Sequence, residues 1–395
     1  MLDGYELLEK IEQLKEKNCQ IYVAVTGAGT GLQNMLWQVP GSSAYLAGGI
    51  CTYRQDQTEG FLGFKPDSFC SPEIALDLAF AAYLKAATND PNVNTVGLGL
   101  TASVASETEH RGDHRIHVAC ITNEKVFTTD VVLHKAVGQE NRERDGLTAD
   151  LLGLELLLHA TGVVPVDEPD DWDEPDYHEC IYEGTFMCDM DLDLVKQHFM
   201  KRPFVTRYGK RQPIPVGRRM SIYPGNFNPP HEGHFANAGE DTTFQITTNP
   251  PHKAGLSIQD ILNRLRHFKG RRDLMFLEGA GLYIEKARMF PGCNLVMGTD
   301  ALRRMLDPKW GYDPIEMLRE FQGLGAHIKV SIRDQDRVLL GTVPQDQDMV
   351  TEDGTVIIPH AFVEMFEILP KTTFAHLSST KVREGKLTTE GVNVQ

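Results

Sequence analysis

The sequence has little positive charge. Its 395 residues contain 39 lysines and arginines against 55 aspartates and glutamates, a formal net charge of −16. A nucleic-acid-binding protein needs a basic surface to hold phosphate backbones, so this composition argues against a nucleic acid as partner. An anionic substrate would therefore depend on a few local cations. The content of 41% hydrophobic and 24% charged residues is typical of an ordinary globular protein.

The sequence also lacks paired cysteines and long apolar runs. Its seven cysteines stand at positions 19, 51, 70, 120, 180, 188 and 293, with no C-x-x-C pair. The odd number and the spacing argue against a disulfide framework and against a structural zinc site. No run of ~18 apolar residues occurs, and the first segment lacks the apolar core of a signal peptide. We therefore expect a cytoplasmic protein without a membrane partner.

The length exceeds the usual size of one hydrophobic core, which predicts two domains. The clearest boundary is the segment DEPDDWDEPD, residues 167–176, which carries seven acidic residues and two prolines. Strand and helix patterns alternate on both sides of it, which predicts an α/β fold with a doubly wound parallel sheet in the second half. We expect a first domain at 1–165, an acidic linker and basic connector at 166–217, and a second domain at 218–395.

The segment SIYPGNFNPPHEGH, residues 221–234, combines a strand, a glycine, three prolines and two histidines. In an open parallel sheet, ligands lie at the carboxyl ends of the strands. Gly225 permits close approach of the backbone to a phosphate. His231 and His234 fall on one face of a helix start, where imidazoles suit a phosphoryl transition state. The alternative, a metal site, lacks a third ligand at a suitable spacing.

These residues resemble the signature G-[ST]-F-[DN]-P-x-H-x-G-H of the HxGH nucleotidyltransferase superfamily, with Asn226 as the departure. A second motif of that superfamily, I-S-S-T-x-[IV]-R, resembles Leu377–Arg383, about 150 residues later. The resemblance implies that His231, His234, Lys253 and Arg383 are catalytic. It implies nucleotide-binding roles for the residues of the two motifs and of a later G-x-D segment: Gly225, Asn226, Phe227, Gly298, Asp300, Ser378, Ser379 and Thr380.

Two segments narrow the resemblance to nicotinate mononucleotide adenylyltransferases. NPPHK, residues 249–253, is similar to their PPHK segment, and the segment with Gly298 and Asp300 is similar to the one that holds adenosine. Trp310 lies near the place of a pyridine-stacking tryptophan, although an ordinary half-buried tryptophan fits it as well. Four arginines could be ligands of the acceptor phosphate, but solvated surface charges are the more common use of such residues. They are Arg264, Arg266, Arg271 and Arg272.

The resemblance implies in-line transfer of AMP from ATP to nicotinate or nicotinamide mononucleotide, with Mg²⁺ on the triphosphate and release of pyrophosphate. Two alternatives remain open. One is another phosphorylated acceptor, such as phosphopantetheine, with ATP or CTP as the donor. The other is a nucleotide-binding sensor without turnover.

The first half contains a glycine-rich turn after a strand, VTGAGTG, but position 32 is leucine where a G-x-G-x-x-G fingerprint needs glycine. The segments PGSS at 40–43 and GGICTY at 48–53 resemble the C-terminal domain of the CinA family, which includes nicotinamide mononucleotide deamidases. The resemblance extends to about residue 163 and implies a homo-oligomer.

The alignment puts the nucleophilic serine of that family at Thr26 and its lysine at Thr58, and retains only Tyr53. A threonine nucleophile needs a neighbouring base, so a binding or assembly role is expected more than deamidation. Ser42 and Ser43 either line a pocket or cap a helix, the commoner use of such residues. His110, His114 and His117 are interpreted as loop histidines, the last entering a strand, and not as metal ligands.

Overall fold

The structure is a computed structural model that describes most of the chain: residues 4–88, 90, 92–164, 179–202, 204–207, 210–215, 217–250, 254–308, 312–333, 336–341 and 349–391. The acidic segment 167–176, Lys253 and Trp310 lie outside the described residues. The chain divides into two compact units. Among the residues described, every helix is too short or too polar to cross a bilayer.

The helices are α1 Gly4–Gln13, α2 Thr30–Gln38, α3 Gln55–Leu62, α4 Pro72–Ala86, α5 Gln139–Ala160, α6 Leu192–Met200, α7 Glu232–Asn237, α8 Ile258–Phe268, α9 Tyr283–Met289, α10 Thr299–Met305, α11 Pro314–Gly323 and α12 Ser379–Arg383. The strands are β1 Cys19–Thr26, β2 Leu46–Cys51, β3 Asn94–Ser103, β4 Arg115–Ile121, β5 Val126–Leu133, β6 Ile181–Asp189, β7 Phe204–Arg207, β8 Lys210–Pro213, β9 Ser221–Pro224, β10 Thr242–Thr247, β11 Leu274–Leu277, β12 Asn294–Gly298, β13 His327–Ser331, β14 Val338–Leu340, β15 Val356–Ile358 and β16 Phe366–Leu369.

The first unit comprises Met1–Arg202, Tyr208–Pro213 and Ser257–Lys269. Its sheet has the order β2-β1-β3-β4-β5-β6, parallel from β2 to β3 and antiparallel from β3 to β6. The apolar side chains of α2, α5 and the central strands form one core. The serine and proline at positions 71 and 72 predict a helix start, and Ser71 does cap α4, with Pro72 in its first turn.

The second unit comprises Pro203–Arg207, Ile214–Leu256 and Gly270–Gln395. Six parallel strands run in the order β16-β13-β12-β9-β10-β11, and β7 pairs antiparallel with β11. Numbered along the chain, these six strands have the order 6-5-4-1-2-3, which is the doubly wound arrangement. The α/β class and this sheet type are confirmed.

The units differ from the predicted domain boundaries. The first unit includes β6 and α6, which the sequence places in the connector, and α8, which it places in the second domain. The segment read as a basic connector, TRYGKRQPIPVG, contains the last two residues of β7 and all of β8. The buried salt bridge from Arg211 Nη1 to Asp77 Oδ1, 2.8 Å long, places β8 in the first unit.

Candidate functional site

The strand order of the second unit reverses between β9 and β12, so the crevice beyond their carboxyl ends is the expected ligand position. The loop after β9 leads to His231 and His234 at the start of α7, and β12 ends at Gly298 directly before α10. The fold therefore directs two of the sequence motifs to the same edge of the sheet.

The two histidines stack on each other, with ring centroids 3.7 Å apart and an angle of 23° between the planes. The backbone N–H of His231 donates to Nδ1 of His234 at 3.2 Å, which leaves the ring proton of a neutral His234 on Nε2. His231 is 5% exposed, and its Nδ1 has no hydrogen-bond partner among the described residues. A buried imidazole nitrogen is thus available to a ligand.

Burial and the nearby charge of Arg333 lower the pKa of His231 to about 4. Burial, His231 and Arg333 also hold the pKa of His234 well below its usual value. Both rings are therefore neutral near pH 7 in the absence of a bound anion. A triphosphate beside them would favour their protonated forms.

The C-terminal motif lies against the loop of the two histidines. Ser379 Oγ donates to the carbonyl oxygen of Pro229 at 2.9 Å, and Arg383 donates to the carbonyl of Asn228 and to Thr380 Oγ1 at 3.2 Å. The Ser378 hydroxyl caps α12 by accepting from the N–H of Lys381 at 3.2 Å. The structure thus brings together motifs that are 150 residues apart in sequence.

Gly225 and Phe227 have a packing role in this loop. A Cβ on Gly225 would lie 2.5 Å from the ring of Phe227, so this ring requires glycine at 225. Phe227 has a φ of +45°, is buried, and contacts His234 edge-on with centroids 5.0 Å apart. Asn226, which lies between them, also makes contacts within the protein.

Asp300 is engaged by two arginines. Its carboxylate accepts from Arg303 at 3.2 Å and from Arg333 at 2.9 Å. Arg333 follows β13 and was missed by the sequence interpretation. The signal that could have indicated it is a cation just after the carboxyl end of the strand HIKVS. Its charge acts on both histidines and on Asp300, so it is a candidate for phosphate binding.

The four arginines between 264 and 272 have different environments. The expectation of solvated charges is wrong for Arg264 and Arg266, which are 1% and 6% exposed. Arg264 pairs with Asp260, and Arg266 donates to the carbonyls of Thr88 and Asp90, all within the first unit. Arg271 instead pairs with Glu232, next to His231. Arg272 donates to the carbonyl of Arg271 at 3.0 Å.

A cavity of about 190 Å³ lies in the second unit, beside the first residues of α9. Its wall includes Tyr283, Tyr312, Met305 and Pro250, with Arg304 also in the lining. Pro250 belongs to the NPPHK segment, and Arg304 belongs to α10, which also carries Asp300. The aromatic and apolar wall with a nearby cation suits a flat ring that bears negative charge.

In the first unit, Thr26 and Tyr53 lie near the end of β1, but their groups are engaged. The hydroxyls of Thr26 and Thr58 both donate to the carbonyl of Thr52, at 2.7 and 2.8 Å. Tyr53 is exposed and its hydroxyl accepts from Arg142 at 3.2 Å.

The serine pair and the histidine segment differ from the sequence interpretation. Ser42 and Ser43 start a short 3₁₀ helix after Gly41, and no side chain caps it, so the capping role is wrong. His114 lies in the loop before β4 and His117 lies within that strand, as interpreted, but both are buried, with 1% and 7% of their surface exposed. Antiparallel pairing of β4 places His117 inside the sheet. No cluster of three or more metal-ligating side chains occurs within the described residues.

No protein-family model matches the sequence, and no curated protein matches it. Among solved structures, it is similar to a competence/damage-inducible protein from Agrobacterium tumefaciens, with 20% identity over 41% of this chain and 97% of that one, at a TM-score of 0.33. A CinA superfamily protein from Escherichia coli has 18% identity over 40% of this chain and 92% of that one, at a TM-score of 0.32. A CinA superfamily protein from Enterobacter cloacae has 15% identity over 42% of this chain and 94% of that one, at a TM-score of 0.33.

Proposed function

We propose that the second unit transfers AMP from ATP to nicotinate or nicotinamide mononucleotide and releases pyrophosphate. The observation that supports this most is the contact between the loop of His231 and His234 and the segment Ser378–Arg383, through Ser379 and Arg383. A triphosphate bound at this junction would meet ring nitrogens, hydroxyls and a guanidinium together. These are the groups that stabilise charge on phosphoryl oxygens.

The proposed reaction needs positioning and no covalent enzyme intermediate. The acceptor phosphate attacks the α-phosphorus of ATP in line, and the P–O bond to pyrophosphate breaks. His231 and His234 donate hydrogen bonds to the phosphate that develops charge, and Arg333 and Arg383 balance the charge of the triphosphate. Lys253, which belongs to the NPPHK segment, is proposed to act with them. Mg²⁺ would come with the ATP and neutralise its outer phosphates.

The cavity beside α9 supports a pyridine mononucleotide as the acceptor. Tyr283 and Tyr312 place aromatic side chains in its wall, which suit contact with a pyridine, and Arg304 supplies a cation for a carboxylate or phosphate. The pantetheine arm of the alternative acceptor is flexible and has no ring to stack. The aromatic wall therefore favours the mononucleotide.

For the first unit we propose a CinA-like domain in which Thr26 is not a nucleophile. The Thr26 hydroxyl already donates to the carbonyl of Thr52, and Thr58 stands where the family has its lysine. A hydroxyl nucleophile needs a base to take its proton. Binding or self-association fits this unit better than deamidation at Thr26.

The test is pyrophosphate release from Mg·ATP with a panel of nicotinate mononucleotide, nicotinamide mononucleotide, phosphopantetheine and a sugar phosphate. We expect release with one or both pyridine mononucleotides. His231→Ala should lower kcat by about 100-fold or more, because it removes a donor to the reacting phosphate. His327→Ala is the matched control, since His327 is exposed at the opposite end of its strand.

Three outcomes would count against the proposal. Release with none of the acceptors contradicts nucleotidyl transfer, and ATP binding without release would favour a sensor. Release with phosphopantetheine alone would retain the reaction and overturn the acceptor. Full activity of His231→Ala would show that the site lies elsewhere.

A further inference from the structure

A second cluster of reactive side chains lies in the first unit, away from Thr26. His117 on β4 is paired directly with Asp130 on β5. The His117 Nδ1 and Asp130 Oδ1 atoms are 2.6 Å apart, so the carboxylate fixes both the orientation of the ring and the proton on Nδ1. The other ring nitrogen, Nε2, is buried and has no hydrogen-bond partner within the described part of the chain. A 7% exposed imidazole with one free nitrogen is the usual form of a positioned base.

The approach of α4 to β3 brings a thiol to this histidine. A Cβ added to Gly97 would lie 2.2 Å from the carbonyl oxygen of Ala79, and one added to Gly99 would lie 2.2 Å from that of Ala75. The helix therefore runs along the face of β3 that bears the odd-numbered residues. Gly97 contacts Ala79 and Gly99 contacts Ala75, so the residues just before α4 lie next to the following part of β3.

Thr101 is hydrogen-bonded to the segment just before α4. It is the next residue on the same face of β3, and its hydroxyl donates to the carbonyl of Phe69 at 2.7 Å. Thr101 is also the direct cross-strand partner of His117. Phe69 is thereby held next to the cross-strand partner of His117, and Cys70 is the following residue.

The charges around His117 agree with this placement. Burial opposes protonation of His117, but its hydrogen bond to Asp130 and the neighbouring thiol of Cys70 outweigh burial and raise its pKa to about 9. Arg115, two residues earlier on the same face of β4, also interacts with Cys70. Glu73 on α4 adds a negative charge in the vicinity. A basic imidazole next to a half-buried thiol is the arrangement that activates cysteine as a nucleophile.

We propose that Cys70, His117 and Asp130 form a thiol-based catalytic site that hydrolyses a small polar ester or amide. A cavity of about 500 Å³ that His117 lines supplies the space for the substrate. This volume is within the range of about 300–1,000 Å³ that is usual for small-molecule sites. Arg115, Lys135, Asp113 and Glu183 give its wall charges of both signs, which suits a polar substrate and not a lipid.

The proposed reaction is balanced in atoms and protons. His117 Nε2 takes the thiol proton, and the Cys70 sulfur attacks the acyl carbon to form a C–S bond. The leaving alcohol or amine departs with that proton. Water then attacks the thioester, giving one proton to Nε2, and the proton returns to the sulfur as the carboxylic acid is released. Asp130 stays ionised and acts as a positioning residue through His117.

The first test is alkylation of the intact protein by iodoacetamide near pH 7, with each cysteine followed by peptide mass spectrometry. Cys51 and Cys188 are exposed and serve as internal controls. An ordinary half-buried thiol would react more slowly than they do, whereas an activated one should react at least about tenfold faster. Asp130→Asn and His117→Gln should lower the rate at Cys70 by about tenfold or more and leave Cys51 and Cys188 unchanged.

The second test uses p-nitrophenyl acetate as an activated ester. We expect a burst of p-nitrophenolate with an acetyl group on the Cys70 peptide, and slow deacylation in Asp130→Asn, which retains a polar partner for the ring. Cys70→Ser should lose the burst. Circular dichroism of each variant separates a lost function from a lost fold. The proposal is overturned if Cys70 is alkylated no faster than the two exposed cysteines, or if folded Asp130→Asn retains the wild-type rate.

Discussion

At the scale of single residues, His231 shows how burial changes chemistry. Its usual pKa is near 6.5, and burial together with the charge of Arg333 lowers the pKa to about 4. A histidine that is neutral in the folded protein and protonated in the unfolded chain costs stability as the pH falls through its unfolded pKa. The same environment leaves Nδ1 without a hydrogen-bond partner among the described residues.

We therefore expect His231 to destabilise the protein below about pH 6.5 and its removal to weaken the acid dependence. Stability is lost as the pH falls from the pKa of His231 in the unfolded chain, near 6.5, towards its pKa of about 4 in the folded protein, because the unfolded chain binds the proton first. At about pH 5 the contribution amounts to roughly 2 kcal/mol.

The measurement is urea unfolding of wild type and His231→Gln near pH 7 and near pH 5, followed by a probe in the second unit. The variant should lose less stability between the two conditions than the wild type. His327→Gln, at an exposed position, should behave as the wild type. Equal losses in wild type and His231→Gln would contradict the low pKa.

Tyr312, in the wall of the cavity beside α9, allows a test of the proposed acceptor site. Tyr312→Ala removes one aromatic face from the cavity, and stacking against a ring contributes about 1 kcal/mol beyond buried area. We expect the KM for the pyridine mononucleotide to rise by about tenfold, given the lost area as well. The KM for ATP should stay within about twofold and serves as the internal control. An equal rise for both substrates would place the ring elsewhere.

At the scale of elements, the contact of α4 with β3 depends on glycine. Gly97 and Gly99 let the helix backbone lie directly on the strand, since any Cβ there would overlap carbonyl oxygens. This close contact positions Cys70, and through Thr101 it connects the helix start to His117. The pattern VGLGL predicts a strand, whereas the approach of a helix to it depends on packing.

Gly99→Ala should destabilise the first unit by about 2–3 kcal/mol or more, because the backbone of α4 must shift to admit the methyl group. Gly60→Ala is the matched control: Gly60 lies in α3, and a Cβ there meets no atom within 4 Å. Alanine in a helix is favoured over glycine by roughly 1 kcal/mol, so the control should be neutral or stabilising. Thermal unfolding by circular dichroism measures both, and a neutral Gly99→Ala would contradict the packing argument.

At the scale of the whole molecule, each proposed site draws its residues from one unit. His231, Arg333 and Arg383 belong to the second unit, and Cys70, His117 and Asp130 to the first. Changes at sites that share no residues generally have additive effects. The two activities should therefore be separable.

Cys70→Ser should leave pyrophosphate release from Mg·ATP within about twofold of wild type, and His231→Ala should leave alkylation of Cys70 within about twofold. Both rates can be measured on the same preparations of the full chain. A large effect of either variant on the other activity would indicate coupling between the units. Cys188→Ser is the control for a lost exposed thiol.

The sequence by itself determined the α/β class and located the motifs at 225–234 and 377–383, because strand periodicity and short motifs depend on neighbouring residues. It also placed the cap of α4 at Ser71 correctly. Burial of polar side chains could not be predicted in the same way: the fold buries Arg264, His114 and His117, which the sequence interpretation did not expect.

Only the tertiary structure decided which side chains meet. Arg333 reaches Asp300 and acts on the histidines because β13 is next to β12 in the sheet. His117 meets Asp130 because the register of β4 and β5 pairs these two residues, and a shift of one residue would turn them to opposite faces. Register and helix approach arise from the packing of distant segments, so no local pattern could reveal the cluster around Cys70.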